Sequence, residues 1–169
     1  MKKILIALDY DPPAQVIAER GYALARDMQA EVYLLHVLAE GGYYLAPDYP
    51  AIMGFEGFNA LSTAQISNID ELRKAARNYL DTTRQHLGDD RIQTLVREGD
   101  FAEGIVETAG EIQADLIVMG SHGRRGLGKM IMGSVAEQVL HRSSVPLFII
   151  PTKNIRDGQD TRTAESPKH

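Results

Sequence analysis

The 169-residue chain contains no cysteine. That excludes disulfides, zinc–thiolate centres and thiol catalysis, and it accords with a reducing compartment. No apolar run approaches the roughly 18 residues of a membrane span. The opening segment, Met1-Lys2-Lys3-Ile4-Leu5-Ile6-Ala7-Leu8-Asp9, is stopped by Asp9 before it could form the apolar centre of a secretory signal. A cytoplasmic location without membrane insertion is therefore expected. Basic surplus is missing as well: the net charge is −5, and the notable basic cluster is Arg124, Arg125 and Lys129. Three such charges can hold a phosphate chain but make a poor footprint for a duplex, so nucleic acid is not an expected partner. The sequence also lacks a nucleophile elbow, a metal triad and a histidine pair with metal-ligand spacing. It has no internal repeat.

What is present is the makings of one compact domain. Hydrophobic residues form 44% and charged residues 24% of the chain, an ordinary mix for a globular protein. A chain of this length buries roughly two-thirds of its unfolded surface and needs no metal or disulfide to fold. Short, nearly continuous apolar runs occur at 3–8, 32–38, 115–119 and 145–150, with a weaker one at 92–96. Such runs suit strands covered on both faces, as in a parallel sheet.

Helical patterns separate the runs. Residues 14–29 place Ile17, Leu24, Ala25 and Met28 on one face; 69–87 place Leu72, Ala75, Ala76, Tyr79, Leu80, Thr83 and Leu87. Residues 102–112 repeat the spacing with Ala102, Ile105, Val106, Ala109 and Ile112, and 134–142 with Val135, Ala136, Val139 and Leu140. Asp100 and Glu103 favour the start of the third helix. Gly133-Ser134 reads as a capped start of the fourth. The alternation predicts an α/β fold: a five-stranded parallel sheet with helices on both faces, Rossmann-like, in a single domain over 1–152. Two stretches fall outside it. Residues 39–63 form a long Gly-, Pro- and Tyr-containing loop, and 153–169 form a polar tail expected to be disordered.

In a doubly wound sheet, ligands sit beyond the carboxyl ends of the strands, where the winding reverses. This directs attention to Asp9, to Val37-Leu38 and to Gly120-Ser121-His122-Gly123. The last of these opens a glycine-rich, basic loop that runs from a buried strand to the helix beginning at Ser134. Glycines let backbone N–H groups approach an anion, and the helix start adds free donors. Ser134 offers either a phosphate-binding hydroxyl or a plain cap, and Lys129 either a phosphate partner or a solvated charge. Asp9 has a capping alternative for the first helix, and His122 can touch phosphate or sit idle in the loop. His36 and His141 read as structural. Gly123-x4-Gly128-Lys129 approaches a P-loop, but Met130 stands where the magnesium-binding hydroxyl belongs. No Gly-x-Gly-x-x-Gly follows the first strand, which argues against a dinucleotide site.

Gly120, Gly123, Gly133 and Ser134 follow the spacing Gly-x2-Gly-x9-Gly-Ser, and with it the chain resembles the ATP-binding subgroup of the universal stress protein family. Ile4 to Asp9, Leu34-Leu35-His36-Val37, Ala114 to Gly123 and Gly133 to Ile150 look like its first, second and last strands and its last helix. The resemblance implies the adenine nucleotide alpha hydrolase-like version of the fold and a bound ATP. Asp9 and the Val37 backbone would contact adenine, with Ala7 lining the pocket where the family often has proline. Met119 and Gly120 would lie along the adenosine. Gly123, Gly133, Ser134 and Val135 would hold the phosphates, aided by His122 and Lys129, with Mg2+ or Mn2+ bridging phosphate oxygens. It also implies a homodimer formed through Val145 to Ile150, an apolar edge that invites pairing. The expected role is a nucleotide-dependent sensor or regulator in stress response, at most a slow ATPase in which Asp9 or His122 orders a water. A nucleotide-independent dimeric interaction protein of the same fold is the alternative. An adenylyl-transfer enzyme would need a phosphate loop after the first strand, which Asp9-Tyr10-Asp11-Pro12-Pro13 does not supply.

Overall fold

The computed structural model describes residues 1–10, 13–39, 69–121 and 132–152. Most of the 39–63 loop and the 153–169 tail lie outside them. The elements run β1 (Lys3–Ala7), α1 (Ala14–Asp27), β2 (Glu31–Leu38), α2 (Ile69–Leu87), β3 (Gln93–Glu98), α3 (Phe101–Glu111), β4 (Leu116–Gly120), α4 (Ser134–Arg142) and β5 (Leu147–Ile150). The strands form one parallel sheet in the order β3-β2-β1-β4-β5. The expected α/β fold is therefore present, and its winding reverses between β1 and β4.

Alternation along the strands sorts the core into two layers. Ile4, Ile6, Val32, Leu34, Val118 and Ile150 pack with Ala14, Ile17, Ala18 and Ala25 of α1 and with Tyr79 and Leu80 of α2. Leu5, Leu35, Val37, Ile117 and Met119 face the other way, against Ala102, Ile105 and Ala109 of α3 and Ala136 and Val139 of α4. The central strands are buried on both sides, which is why their sequences are almost continuously apolar. Strand β3, with two exposed ends and a half-buried middle, is the weak run because it is an edge.

The helices and the last strand depart from the sequence reading at these points. In α1 the buried row is Ala14, Ile17, Ala18, Gly21 and Ala25. Met28, expected on that row, is exposed because the helix has already ended. In α4 the buried residues are Ala136 and Val139, while Leu140 is exposed beside the open end of the sheet. The last strand starts at Leu147 rather than Val145, since Pro146 has no N–H for a ladder.

Helix ends explain the remaining boundaries. Asp100 accepts from Glu103 N–H at 2.9 Å and caps α3, as its position predicts. Helices α1 and α3 end alike. Gln29 and Gln113 take positive φ (52° and 55°), and the N–H groups of Ala30 and Ala114 reach back to Ala25 and Ala109 carbonyls at 2.9 and 2.8 Å. These are Schellman closures built on glutamine where glycine is usual. Lys2 and Lys3 tie β1 to the α3–β4 turn. Lys2 Nζ and Lys3 N–H both donate to Asp115 at 2.9 Å, and Lys3 Nζ donates to the Ile112 carbonyl at 3.1 Å. The Lys2 ammonium, with the Lys3 amide, holds the Asp115 carboxyl below its ordinary range.

Candidate functional site

The sheet ends unevenly on its carboxyl side. Strand β1 last pairs with β2 at Ala7–Leu35 and with β4 at Ile6–Val118. Its neighbours continue: β2 to Leu38, held there by β3, and β4 to Gly120, held by β5. A gap therefore opens above the end of β1, walled by two strands that outrun it. This is the position at which doubly wound sheets take ligands.

Backbone direction into that gap follows from alternation, because successive residues of a strand aim their N–H and C=O groups to opposite sides. The Leu35 carbonyl points to β1, where it accepts Leu8 N–H at 2.9 Å, and the Leu38 carbonyl points to β3, where it accepts Gly99 N–H. Val37, two residues past Leu35, thus turns its backbone groups toward the gap. On the other wall, Ser121 N–H donates to the Ile150 carbonyl of β5 at 2.8 Å. Gly120, one residue earlier, therefore turns toward the gap as well. The sequence reading expects Val37 and Gly120 at a ligand site, and the register turns the backbone of both toward this gap.

The chain leaving β1 crosses the gap as Leu8-Asp9-Tyr10. Asp9 is not the cap of α1: that helix begins at Ala14 with Pro13 in the cap position. Its main-chain carbonyl accepts from the Tyr79 hydroxyl of α2 at 2.6 Å. Burial, and secondarily the Asp9 charge, push the Tyr79 phenol well above its ordinary range, so the hydroxyl remains a donor. His36 is fully enclosed, with Nδ1 2.8 Å from the Leu8 carbonyl. A carbonyl only accepts, so the ring carries its proton on Nδ1. Burial lowers its pKa from 6.5 to about 4, against the opposing effect of the Leu8 carbonyl, and the ring is neutral at pH 7. Tyr10 lies against it with ring centroids 4.1 Å apart. The sequence assigns His36 a structural role; its hold on Leu8 places it directly beneath the candidate site. An even-numbered polar residue in a strand whose even positions are otherwise apolar was the signal in the sequence.

The glycine-rich loop is closed at its base. Gly133 N–H donates to the Ser121 carbonyl at 2.6 Å, so the first and last residues flanking the loop meet. Thr152 N–H donates to Ser121 Oγ at 3.1 Å, fastening the exit of β5 to the same point. Gly133 is the N-cap of α4 and Ser134 its first residue, with no side-chain cap. The capping reading of Ser134 is thus replaced by an exposed position on the first turn of α4. Ala7, Asp9, Val37, Met119, Gly120, Gly133, Ser134 and Val135 are all at this end of the sheet or on the start of α4. His122, Gly123 and Lys129 lie outside the described residues. Among the described residues, no group of three or more His, Asp or Glu is placed to hold a metal ion, and no helix is long and apolar enough to cross a membrane.

Comparisons with known proteins bear on this arrangement. The model of the universal stress protein family matches residues 1–151. Universal stress protein MJ0577 of Methanocaldococcus jannaschii is 29% identical over 90% of this chain and 96% of its own. Its solved structure superposes with a TM-score of 0.69 over 90% of this chain and 97% of that one. A second protein of that organism, universal stress protein MJ0531, is 30% identical over 88% of this chain and 81% of its own length. A universal stress protein from Archaeoglobus fulgidus, solved in complex with dAMP, shares the fold with a TM-score of 0.56 at 19% identity, covering 89% of this chain and 98% of that one. With nearly its whole length matched by the family model and by relatives of the same size, the chain belongs to the universal stress protein family.

Proposed function

We propose that the chain binds ATP in the gap above β1 and works as a nucleotide-dependent sensor or regulator in stress response. The observation that carries this reading is the overshoot of β1 by both neighbours, which turns the Val37 and Gly120 backbone groups into one crevice. Peptide groups so placed can read the edge of a base. Asp9 follows the end of β1, and Ala7 and Met119 flank the crevice on β1 and β4, where an adenosine would lie. The phosphates then extend to the α4 N-terminus, where Ser134 and Val135 offer N–H groups and Ser134 a hydroxyl, beside Gly133, whose own N–H is given to the Ser121 carbonyl. His122, Gly123 and Lys129 belong to the glycine-rich loop and add glycine and positive charge. The dAMP complex of the Archaeoglobus relative supports an adenine nucleotide in this fold.

Gly133 sharpens the argument. Its φ of −72° and ψ of 157° suit any residue, so backbone freedom does not call for glycine there. A phosphate lying against the main chain would call for it. Among the described residues, no group of acidic side chains is placed to ligate a cation. Mg2+ or Mn2+ would therefore be held through phosphate oxygens and water, supplying charge neutralisation. The reading extends to a cytoplasmic homodimer paired along β5. At one edge of the sheet β3 carries Arg97 and Glu98, engaged with Glu111 and Arg73. The other edge is Leu147-Phe148-Ile149-Ile150, with Phe148 43% exposed. Charged edges resist strand addition and apolar ones invite it.

The test is nucleotide content and binding. Purified protein is denatured and any released nucleotide identified by chromatography; ATP with magnesium is then titrated into wild type and Gly133→Val. Binding that the folded variant loses supports the reading. A folded wild type that neither carries nor binds an adenine nucleotide overturns it, and leaves a dimeric interaction protein.

A further inference from the structure

A parallel ladder continued by one rung beyond Leu8 N–H→Leu35 O would join Val37 N–H to the Leu8 carbonyl. That bond is not made. The Leu8 carbonyl instead accepts from His36 Nδ1–H at 2.8 Å, a side chain of the very strand that should have supplied the rung. The imidazole comes from the face of β2 turned to α2. It is walled there by the rings of Tyr10 and Tyr79, at centroid distances of 4.1 and 5.7 Å. One residue on, the Asp9 carbonyl is drawn to the Tyr79 hydroxyl at 2.6 Å. Two consecutive carbonyls of the chain leaving β1 are thus pulled off the sheet toward α2.

We propose that His36, seconded by Tyr79, is a positioning residue of the base site: by taking the Leu8 carbonyl it releases Val37 N–H from the sheet and leaves it facing the crevice as a donor for a ring nitrogen of the nucleobase. The proposal rests on the nucleotide reading above and adds to it the device that makes the donor available. A buried peptide N–H without a partner is costly, so the sheet would otherwise close the rung, and ligand and Leu8 carbonyl compete for one proton. His36 settles that competition in favour of the ligand. Its own Nε2 has no hydrogen-bond partner among the described residues, so the ring is held by one polar contact, the one with Leu8.

Amide hydrogen exchange and titration test this together. In wild type without nucleotide, Val37 N–H exchanges faster than the laddered amides of β2, and adenosine slows it. In His36→Val the Leu8 carbonyl reclaims the rung, Val37 N–H is protected without ligand, and ATP and adenosine each bind about tenfold more weakly, the worth of one hydrogen bond. Tripolyphosphate, which needs only the loop and α4, binds equally to both. His36→Asn, whose amide presents a donor close to the Nδ1 position, restores adenosine binding. Protected Val37 N–H in ligand-free wild type overturns the role of His36 even if the variants fail to fold. So does undiminished adenosine binding by folded His36→Val. Wild type that binds neither ATP nor adenosine overturns the nucleotide reading, and this role with it.

Discussion

Acid should destabilise this protein through one side chain more than any other in its core. The unfolded chain takes up a proton on His36 from its ordinary pKa of 6.5 downward, whereas in the folded protein burial delays protonation to about pH 4. Between those values the unfolded state binds more protons, so stability falls as pH falls, by about 1.4 kcal/mol per pH unit. At about pH 4.5 the accumulated loss is about 2.5 kcal/mol, a large part of the 5–15 kcal/mol typical of a domain. Among the described residues, the rings of Tyr10 and Tyr79 pack against it, and burial raises the Tyr79 phenol well above its ordinary range. Glu19 and Glu98, lowered by hydrogen bonds to Gln15 and Arg73, begin to weaken the fold as pH falls through the ordinary carboxylate range. Their contribution appears equally in a reference protein lacking the histidine. Urea unfolding of wild type and His36→Asn at about pH 7.5, 6.5, 5.5 and 4.5 therefore isolates the term. The wild-type free energy should drop about 2.5 kcal/mol further than the variant's over that range. Parallel curves would refute the buried neutral imidazole.

Three further outcomes follow from packing and edges. Gln29→Gly and Gln113→Gly each relieve a left-handed non-glycine residue, and each should raise stability by about 0.5–1 kcal/mol in chemical denaturation. Gly21→Val should cost about 1–3 kcal/mol by the same assay, since even a Cβ there would lie 2.9 Å from Ile6 Cδ1 and 3.1 Å from Val118 Cγ1. Phe148→Asp should convert the proposed homodimer to monomer in sedimentation with ATP binding retained; an unchanged sedimentation coefficient would remove β5 from the interface.

The architecture was legible because burial on both faces leaves an unmistakable mark. Runs such as Ile4-Leu5-Ile6 and Leu116-Ile117-Val118-Met119 have no polar position for solvent to claim, and α2 repeats its apolar spacing over five turns. The helix ends were less legible for a physical reason. Schellman closures normally announce themselves with glycine, and here glutamines occupy the left-handed positions, so the pattern reading carried α1 to residue 29 and counted Met28 as core. Leu140 misled in the opposite way. Its spacing is that of a core residue, but α4 buries Ala136 and Val139 and leaves Leu140 half-exposed. In the site, the residue types were visible and their directions were not. Gly120, Gly133 and Ser134 stand out by spacing alone, whereas the orientation of the Val37 peptide depends on where β1 stops, which is fixed by pairing across the sheet.

That dependence also explains why His36 reads as structural in sequence and as the proposed positioning residue in three dimensions. A ligand that binds to main-chain groups needs those groups withheld from the ladder, and a parallel sheet offers few ways to withhold them. Proline removes the N–H altogether; a bulge shifts the register of everything beyond it. Diverting the opposing carbonyl to a side chain does neither, and leaves the donor in place, correctly aimed and unspent. The cost is a buried imidazole that must remain neutral, which ties the fold's acid sensitivity to the same residue that prepares the site. If both effects respond to His36→Asn as described, with stability gaining acid tolerance and adenosine binding preserved, the donor on Nδ1 and not the imidazole's titration is what the site requires.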